Sequence, residues 1–241
     1  MKMSGKNSLF AVAFVVGMVA LAVPAQASLI VSDTFTRADG PLLGSTPAPV
    51  SGPGTWAEAT SSGGSIVGGS VTLGWGNSFI PIGTVQSGGT YTVSADIVGG
   101  GYWWGLGFNH NTTETDVWSG LIWRTDGGVG QWAQWENGYS YGFTPGVDAT
   151  KHNYALVLDT TVPSAWTFSV KVDGSPLFGP LPCSNAIAYT NVEFNSNGGG
   201  ATLDNVLVTS SFTAVPEPAS TLSLLGLIGG GFLLRQRPRN K

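Results

Sequence analysis

The 241-residue chain contains a single cysteine, Cys183, so no intramolecular disulfide can staple it. Histidine is nearly as scarce. His110 and His152 are the only two, far apart, with no His-x-x-x-His pair and no cysteine partner, which argues against a zinc centre. Charged residues make up only 10% of the chain, and ten Lys and Arg against fourteen Asp and Glu give a formal charge of −4. That balance excludes nucleic acid as a partner, because a phosphate backbone needs a basic face. Outside the termini no amphipathic helical pattern runs for ten residues. No fixed-period repeat or Thr-x-Thr ladder is present, so a solenoid is excluded. Gly198-Gly199-Gly200 lacks the strand-to-helix setting of a phosphate loop and reads as a turn.

Glycine is abundant, with 36 residues, and aromatic residues reach 11%, including nine Trp. The glycines follow no Gly-X-Y period, which excludes collagen. Hydrophobic residues at 42% supply ample surface to bury, which excludes intrinsic disorder. Six cations crowd the ends: Lys2, Lys6, Arg235, Arg237, Arg239 and Lys241. From Ser28 to Ala214 only Arg37, Arg124, Lys151 and Lys171 oppose thirteen acidic residues. Such a body is not drawn to anionic membrane surfaces.

The basic ends belong to two addressing segments. Lys2 and Lys6 precede an apolar run from Leu9 to Val23, and Ala25-Gln26-Ala27 forms a small-x-small cleavage site. This is the plan of an export signal over residues 1–27, helical in its apolar part, with a mature start at Ser28. The alternative is an N-terminal membrane anchor. At the other end, Val215-Pro216-Glu217-Pro218 leads into an apolar stretch from Ala219 to Leu234, followed by Arg235-Gln236-Arg237-Pro238-Arg239-Asn240-Lys241. As a helix the stretch extends about 24 Å, just short of the roughly 17–25 residues of a comfortable span. Gly226, Gly229, Gly230 and Gly231 weaken it as a permanent anchor. The terminal cations favour the cytoplasmic side, which leaves the body outside. The two prolines make a stiff spacer that a helix cannot run through.

This three-part tail, residues 215–239, resembles the PEP-CTERM sorting signal of exported bacterial proteins. The resemblance implies a sorting motif at Val215, Pro216, Glu217 and Pro218, a transmembrane segment at 219–234 and a basic stop at Arg235 and Arg237. It implies recognition and cleavage by an exosortase-type enzyme at the inner membrane of a Gram-negative, exopolysaccharide-making bacterium. The precursor is then anchored transiently in the inner membrane, and the mature body is periplasmic, at the cell surface or extracellular. The alternative is a plain single-span anchor.

Residues 28–214 read as an all-β domain: a two-sheet antiparallel β-sandwich (jelly roll). Short alternating runs separated by Gly, Pro, Asn and Asp carry this reading. Tyr91, Val93, Ala95 and Ile97 alternate with Thr92, Ser94 and Asp96. Trp166, Phe168, Val170 and Val172 alternate with Thr167, Ser169 and Lys171, and Asp173-Gly174 follows as a tight hairpin turn. Eleven to thirteen strands are expected, with 41–65 a loop containing one short strand near Trp56. Cys183 is expected to be partly buried in a turn at Pro180–Pro182. The opening Asp33-Thr34-Phe35-Thr36-Arg37-Ala38-Asp39-Gly40, with Gly44 and Trp56, resembles concanavalin A-like (laminin-G-like) jelly-roll modules. Leu203-Asp204-Asn205-Val206-Leu207-Val208 resembles their closing strand, and the resemblance implies that first and last strands lie side by side.

Six tryptophans fall between 103 and 135. Strand alternation puts Tyr102, Trp104, Leu106 and Phe108 on a core face and Trp103 with Gly105, Gly107 and Asn109 on the other. A glycine-flanked Trp leaves its ring open to a sugar face. One sheet face is therefore expected to present Trp103, Trp118, Arg124, Trp132, Gln134 and Glu136, a mixture suited to glycan: rings for C–H faces, planar polar groups for hydroxyls. Core packing is the competing assignment for any single Trp. Concanavalin-like glucanases carry Glu-x-Asp-x-x-Glu along one strand; here Glu114-Thr115-Asp116 begins it, but position 119 is Ser. Glu136 and Glu193 are isolated, so no catalytic pair is expected. No cofactor is required, although Asp33 and Asp204, on the first and last strands, are candidates for a structural calcium ion. The expected function is non-catalytic carbohydrate binding, with exopolysaccharide as the candidate partner. The alternatives are a structural matrix protein without a specific ligand, or a divergent glycan hydrolase.

Overall fold

A computed structural model of the chain describes residues 26–50, 52–59, 63–113, 119–124, 131–136, 139–145, 150–183, 188–198 and 200–212. The strands are β1 (Gln26–Asp33), β2 (Gly40–Pro41), β3 (Pro49–Val50), β4 (Ala57–Glu58), β5 (Ser65–Val67), β6 (Ser70–Thr72), β7 (Gly76–Pro81), β8 (Gly89–Val98) and β9 (Trp103–Asn109). They continue as β10 (Ser119–Arg124), β11 (Gln131–Glu136), β12 (Tyr139–Pro145), β13 (Lys151–Asp159), β14 (Thr167–Val172), β15 (Ser175–Pro182), β16 (Asn191–Asn197) and β17 (Thr202–Phe212). No helix occurs among the described residues.

Two antiparallel sheets form a sandwich. One runs β15-β14-β13-β8-β17-β6-β5-β2, with β1 paired to β17 and β3 to β1; the other runs β12-β11-β10-β9-β16-β7-β4. Period-two alternation builds the layer between them. In β8 every second side chain is buried, and Tyr91, Val93, Ala95 and Ile97 all enter the core. The facing sheet contributes Trp104, Leu106, Phe108, Leu121, Trp123, Val192 and Phe194. Aromatic contacts tie the layers together: Trp104 meets Tyr154 edge-on at 4.9 Å, and Trp56 lies 5.9 Å from Phe194. Each such pair adds about 0.5–1.5 kcal/mol beyond the area it buries.

The Asp173-Gly174 turn forms as the sequence predicts. Both residues have positive φ, 49° and 78°, the handedness that matches the twist of a two-residue hairpin. The first and last strands of the body lie side by side, with Asp33 opposite Val206. The one short strand expected near Trp56 within 41–65 is present as β4, and the region also carries β2, β3 and β5, two- and three-residue strands too short to show a period. β15 runs through the Pro180–Pro182 segment expected to be a turn. Its prolines suit a sheet edge, where no partner needs their missing N–H. Cys183 follows it, partly buried against the core, its N–H donating to the Trp166 carbonyl at 3.0 Å.

The end of β1 is locked by one carboxylate. Asp33 is fully buried. Its Oδ1 accepts from the Phe35 N–H at 2.9 Å and from Arg37 Nη1 at 2.6 Å, and its Oδ2 accepts from Arg37 Nη2 at 3.0 Å and from the Trp56 indole N–H at 2.8 Å. Arg37 also donates to Ser45 Oγ at 2.9 Å, so this cluster fixes the path of the strand-poor 34–56 segment.

Residues 25–214 form one compact unit. β1 begins at Gln26, opposite Phe212, two residues before the expected mature start at Ser28. The expected terminal helices and the sorting motif from Val215 onward lie outside the described residues. Among the described residues no helix is long and apolar enough to cross a membrane.

Candidate functional site

The outer face of the seven-stranded sheet follows from backbone register. In β9, Trp104, Leu106 and Phe108 point into the core, so Trp103, Gly105, Gly107 and Asn109 hold the opposite phase. Opposite these four in β16 stand Asn197, Asn195, Glu193 and Asn191. Asn77 and Phe79 of β7 continue the rows of Asn195 and Glu193. On the other side of β9, Arg124, Ile122 and Gly120 oppose Trp103, Gly105 and Gly107.

The register divides the expected glycan face. Trp103 and Arg124 share the outer phase. Trp132, Gln134 and Glu136 stand opposite Trp123, Leu121 and Ser119, the phase in which Trp123 and Leu121 enter the core. The β11 residues in phase with Trp103 are Gln131, Ala133 and Trp135. The correction has a simple cause: β11 reads Gln-Trp-Ala-Gln-Trp-Glu, with a Trp in each phase, and alternation alone cannot choose between them. Trp118, Glu114 and Asp116 lie outside the described residues, as do the side chains of Arg124, Trp132, Gln134 and Glu136. Tyr102, expected in the core row, precedes β9 and is 67% exposed.

The middle of this face is covered. Gly105 and Gly107 are buried, so they do not leave an open floor beside Trp103. Phe79 and Ile122 are also buried. Among them lies a polar network centred on Glu193, which is fully buried. Asn77 Nδ2 donates to Glu193 Oε1, and Asn109 Nδ2 donates to Oε2 at 2.5 Å. Asn195 Nδ2 donates to Asn77 Oδ1 at 2.8 Å. Asn109 Oδ1 in turn accepts the His110 N–H at 2.6 Å. A buried carboxylate needs such donors to offset its lost hydration. The network ties β7, β9 and β16 together side chain to side chain.

At one end of the same face the cover stops. Trp75 is 57% exposed, and Trp103 and Asn197 are partly exposed. The Tyr102 N–H donates to the Asn197 carbonyl at 2.8 Å, and its ring lies against Gly198, where an added Cβ would come within 2.8 Å of Cδ2. Three aromatic side chains and one amide thus gather where β7 and β9 begin and β16 ends. Sequence reasoning missed Trp75, Asn77, Asn195 and Asn197; it put Asn109 on the Trp103 face and left Glu193 isolated. The available signal was the strict polar alternation of Asn191, Glu193, Asn195 and Asn197 around Val192 and Phe194.

The calcium expectation is corrected. The Asp33 carboxylate oxygens are occupied by Arg37, Trp56 and the Phe35 N–H. Asp204 instead joins a network on the ten-stranded sheet, accepting from Lys151 Nζ at 3.0 Å. There Asp96 accepts from Asn153 at 2.9 Å and from Asn205 at 2.9 Å. Partial burial pushes the Asp96 carboxyl up, but bonds from Asn153, Asn205 and Lys151 outweigh it and hold it below its usual range. The hydrogen bond to Asp204, with the nearby Asp96, raises the Lys151 ammonium. Among the described residues no group of three or more His, Cys, Asp or Glu is placed to hold a metal ion.

No protein-family model matches the chain, and no curated protein matches it. Solved structures with a similar arrangement include alginate lyase Aly36B, 11% identical over 76% of this chain and 96% of that one, with a TM-score of 0.48. They include carbohydrate-binding module CBM66 from Bacillus subtilis, 18% identical over 70% and 94%, TM-score 0.39. The Caenorhabditis elegans galectin LEC-6 is 12% identical over 54% and 88%, TM-score 0.38. These are likenesses of strand arrangement; what those proteins bind or cleave belongs to them.

Proposed function

We propose that the body is a non-catalytic carbohydrate-binding β-sandwich, with its site at the uncovered end of the seven-stranded sheet's outer face. The observation that carries this reading is the grouping of Trp75, Tyr102 and Trp103 around Asn197. Exposed rings beside an amide offer stacking for the C–H face of a sugar and hydrogen bonds for its hydroxyls. The buried carboxylate nearest the site, Glu193, is enclosed and held by Asn77 and Asn109, which suits support rather than acid–base work. Affinity electrophoresis of the full chain against a panel of bacterial and plant polysaccharides tests the reading. Retention by at least one of them is expected, with a blue shift of tryptophan emission on binding; an unchanged mobility and spectrum across the panel would overturn it.

Delivery is a separate part of the proposal. The body is exported through the leader at 1–27 and sorted by the PEP-CTERM-like tail, whose sequence of Val215–Pro218 motif, apolar stretch and basic end supports it. Removing 215–241 is expected to leave the body in the periplasm or medium, uncoupled from exosortase. Unaltered fractionation of the truncated protein would contradict it.

A further inference from the structure

Register places one residue per strand in a line across the uncovered end of the sheet. Asn197 of β16 stands opposite Trp103 of β9, and Trp103 opposite Arg124 of β10, which is itself opposite Gln131 of β11. On the other side β7 pairs with β16 up to Gly76 opposite Ser196, so the next residue, Trp75, reaches the level of Asn197. By position the line reads Trp75, Asn197 and Trp103, with Arg124 and Gln131 at the next two backbone register positions. Trp103 is in phase with Asn109 and belongs to the outer face; Trp75 precedes Gly76, whose φ of 119° interrupts the alternation, and its ring is 57% exposed at this end of the sheet.

We propose that this line binds an uncharged, extended polysaccharide lying across the strands, with Trp75 and Trp103 stacking on alternate sugars. This rests on the carbohydrate reading and adds its orientation, length and charge class. Adjacent strands are about 4.8 Å apart, which sets the two rings about 10 Å apart. One pyranose of an extended chain spans nearly one strand spacing. A ribbon with two-fold twist turns the same face toward the sheet at every second sugar, which matches a ring on every second strand. Asn197 sits under the intervening unit, where edges and hydroxyls point down.

Two other occupants fit less well. At the observed exposures of Trp75 and Tyr102, and with about 150–250 Å² for each whole side chain, the two offer roughly 190–310 Å². A stable protein interface needs about 800 Å² per partner. A polyanion would meet a body with thirteen acidic residues against four cations, of which Arg37 is bound to Asp33, Lys151 to Asp96 and Asp204, and Arg124 is the one at a register position of the line.

The test is isothermal titration of the full chain with β-1,4-linked glucose, mannose and xylose ladders, two to six units long, and with polygalacturonate. Affinity is expected to climb from two to four units and then level. Trp75→Ala is expected to weaken the longer ligands about tenfold, the loss of one aromatic stack, while changing the disaccharide less than about twofold. Trp75→Phe should restore most of the length dependence. An unchanged melting temperature is expected for Trp75→Ala, because that ring is 57% exposed. If sugars bind but Trp75→Ala weakens all lengths equally or none, the cross-strand line is wrong and the carbohydrate reading stands. Tighter binding of polygalacturonate overturns the charge assignment. Failure of every ladder and of the polysaccharide panel overturns both.

Discussion

Replacing Asp33 by Ala is expected to lower stability by about 3–5 kcal/mol, the cost of breaking a buried ion pair from one side. The carboxylate is fully buried, and its loss removes the acceptor for Arg37, for the Trp56 indole and for the Phe35 N–H at once. Phe35 sits at φ 52°, a left-handed conformation that a phenylalanine adopts only when its surroundings impose it. Removal of the Asp33 acceptor releases that constraint as well. At about 2–4 °C per kcal/mol for a body of this size, the melting temperature should fall by about 6–20 °C. Thermal and urea unfolding followed by circular dichroism measure it. Lys151→Ala breaks pairs with Asp96 and Asp204 of similar length, yet its side chain is half-exposed. That variant is expected to lose less than about 1 kcal/mol. Equal losses for the two variants would mean that burial of Asp33 is not what gives its pair weight.

The contrast between the two pairs shows where the sequence was readable. Long alternating strands announce themselves, because one face must be apolar and the other not. Hence β8, β14 and the Asp173-Gly174 turn were legible, as was the two-layer sandwich they imply. Of β2 to β5 only the short strand near Trp56 was, since two or three residues carry no period; the path of this segment is set by Asp33, Arg37 and Trp56 meeting across 23 positions of sequence. The face of Trp103 was legible from its alternation with Trp104, Leu106 and Phe108, but the phase of β11 was not, because Trp132 and Trp135 lie three residues apart and occupy opposite phases. Glu193 looked isolated along the chain. Its partners Asn77 and Asn109 lie 116 and 84 positions away, and only strand order brings them together. Trp75 passed unnoticed for the same reason: it borders a strand whose neighbour, β16, arrives far later in the chain.

Glu193→Ala is expected to cost about 2–5 kcal/mol, since it strips the shared acceptor from two buried amides, each worth about 1–3 kcal/mol when left unsatisfied. Glu193→Gln keeps the shape but has one carbonyl oxygen where two donors converge, so one Asn amide then faces another N–H group. About 1–3 kcal/mol is expected for it. The reciprocal exchange decides whether hydrogen-bond polarity is the cause. Asn77→Asp alone places a second carboxylate against Glu193 and should be strongly destabilising near neutral pH. In the Asn77→Asp, Glu193→Gln double variant the donor and acceptor trade places, and the carboxylate introduced at position 77 still accepts from Asn195. Much of the combined loss should therefore return, as a favourable coupling of about 1–3 kcal/mol in a double-mutant cycle. Because Asn77 lies two residues from Trp75 and β16 leads directly to Asn197, sugar affinity should fall in the single variants and recover with stability in the double. Additive losses in the cycle would show that the amide cage does not hold β7, β9 and β16 in register, and that the aromatic end is positioned by core packing alone.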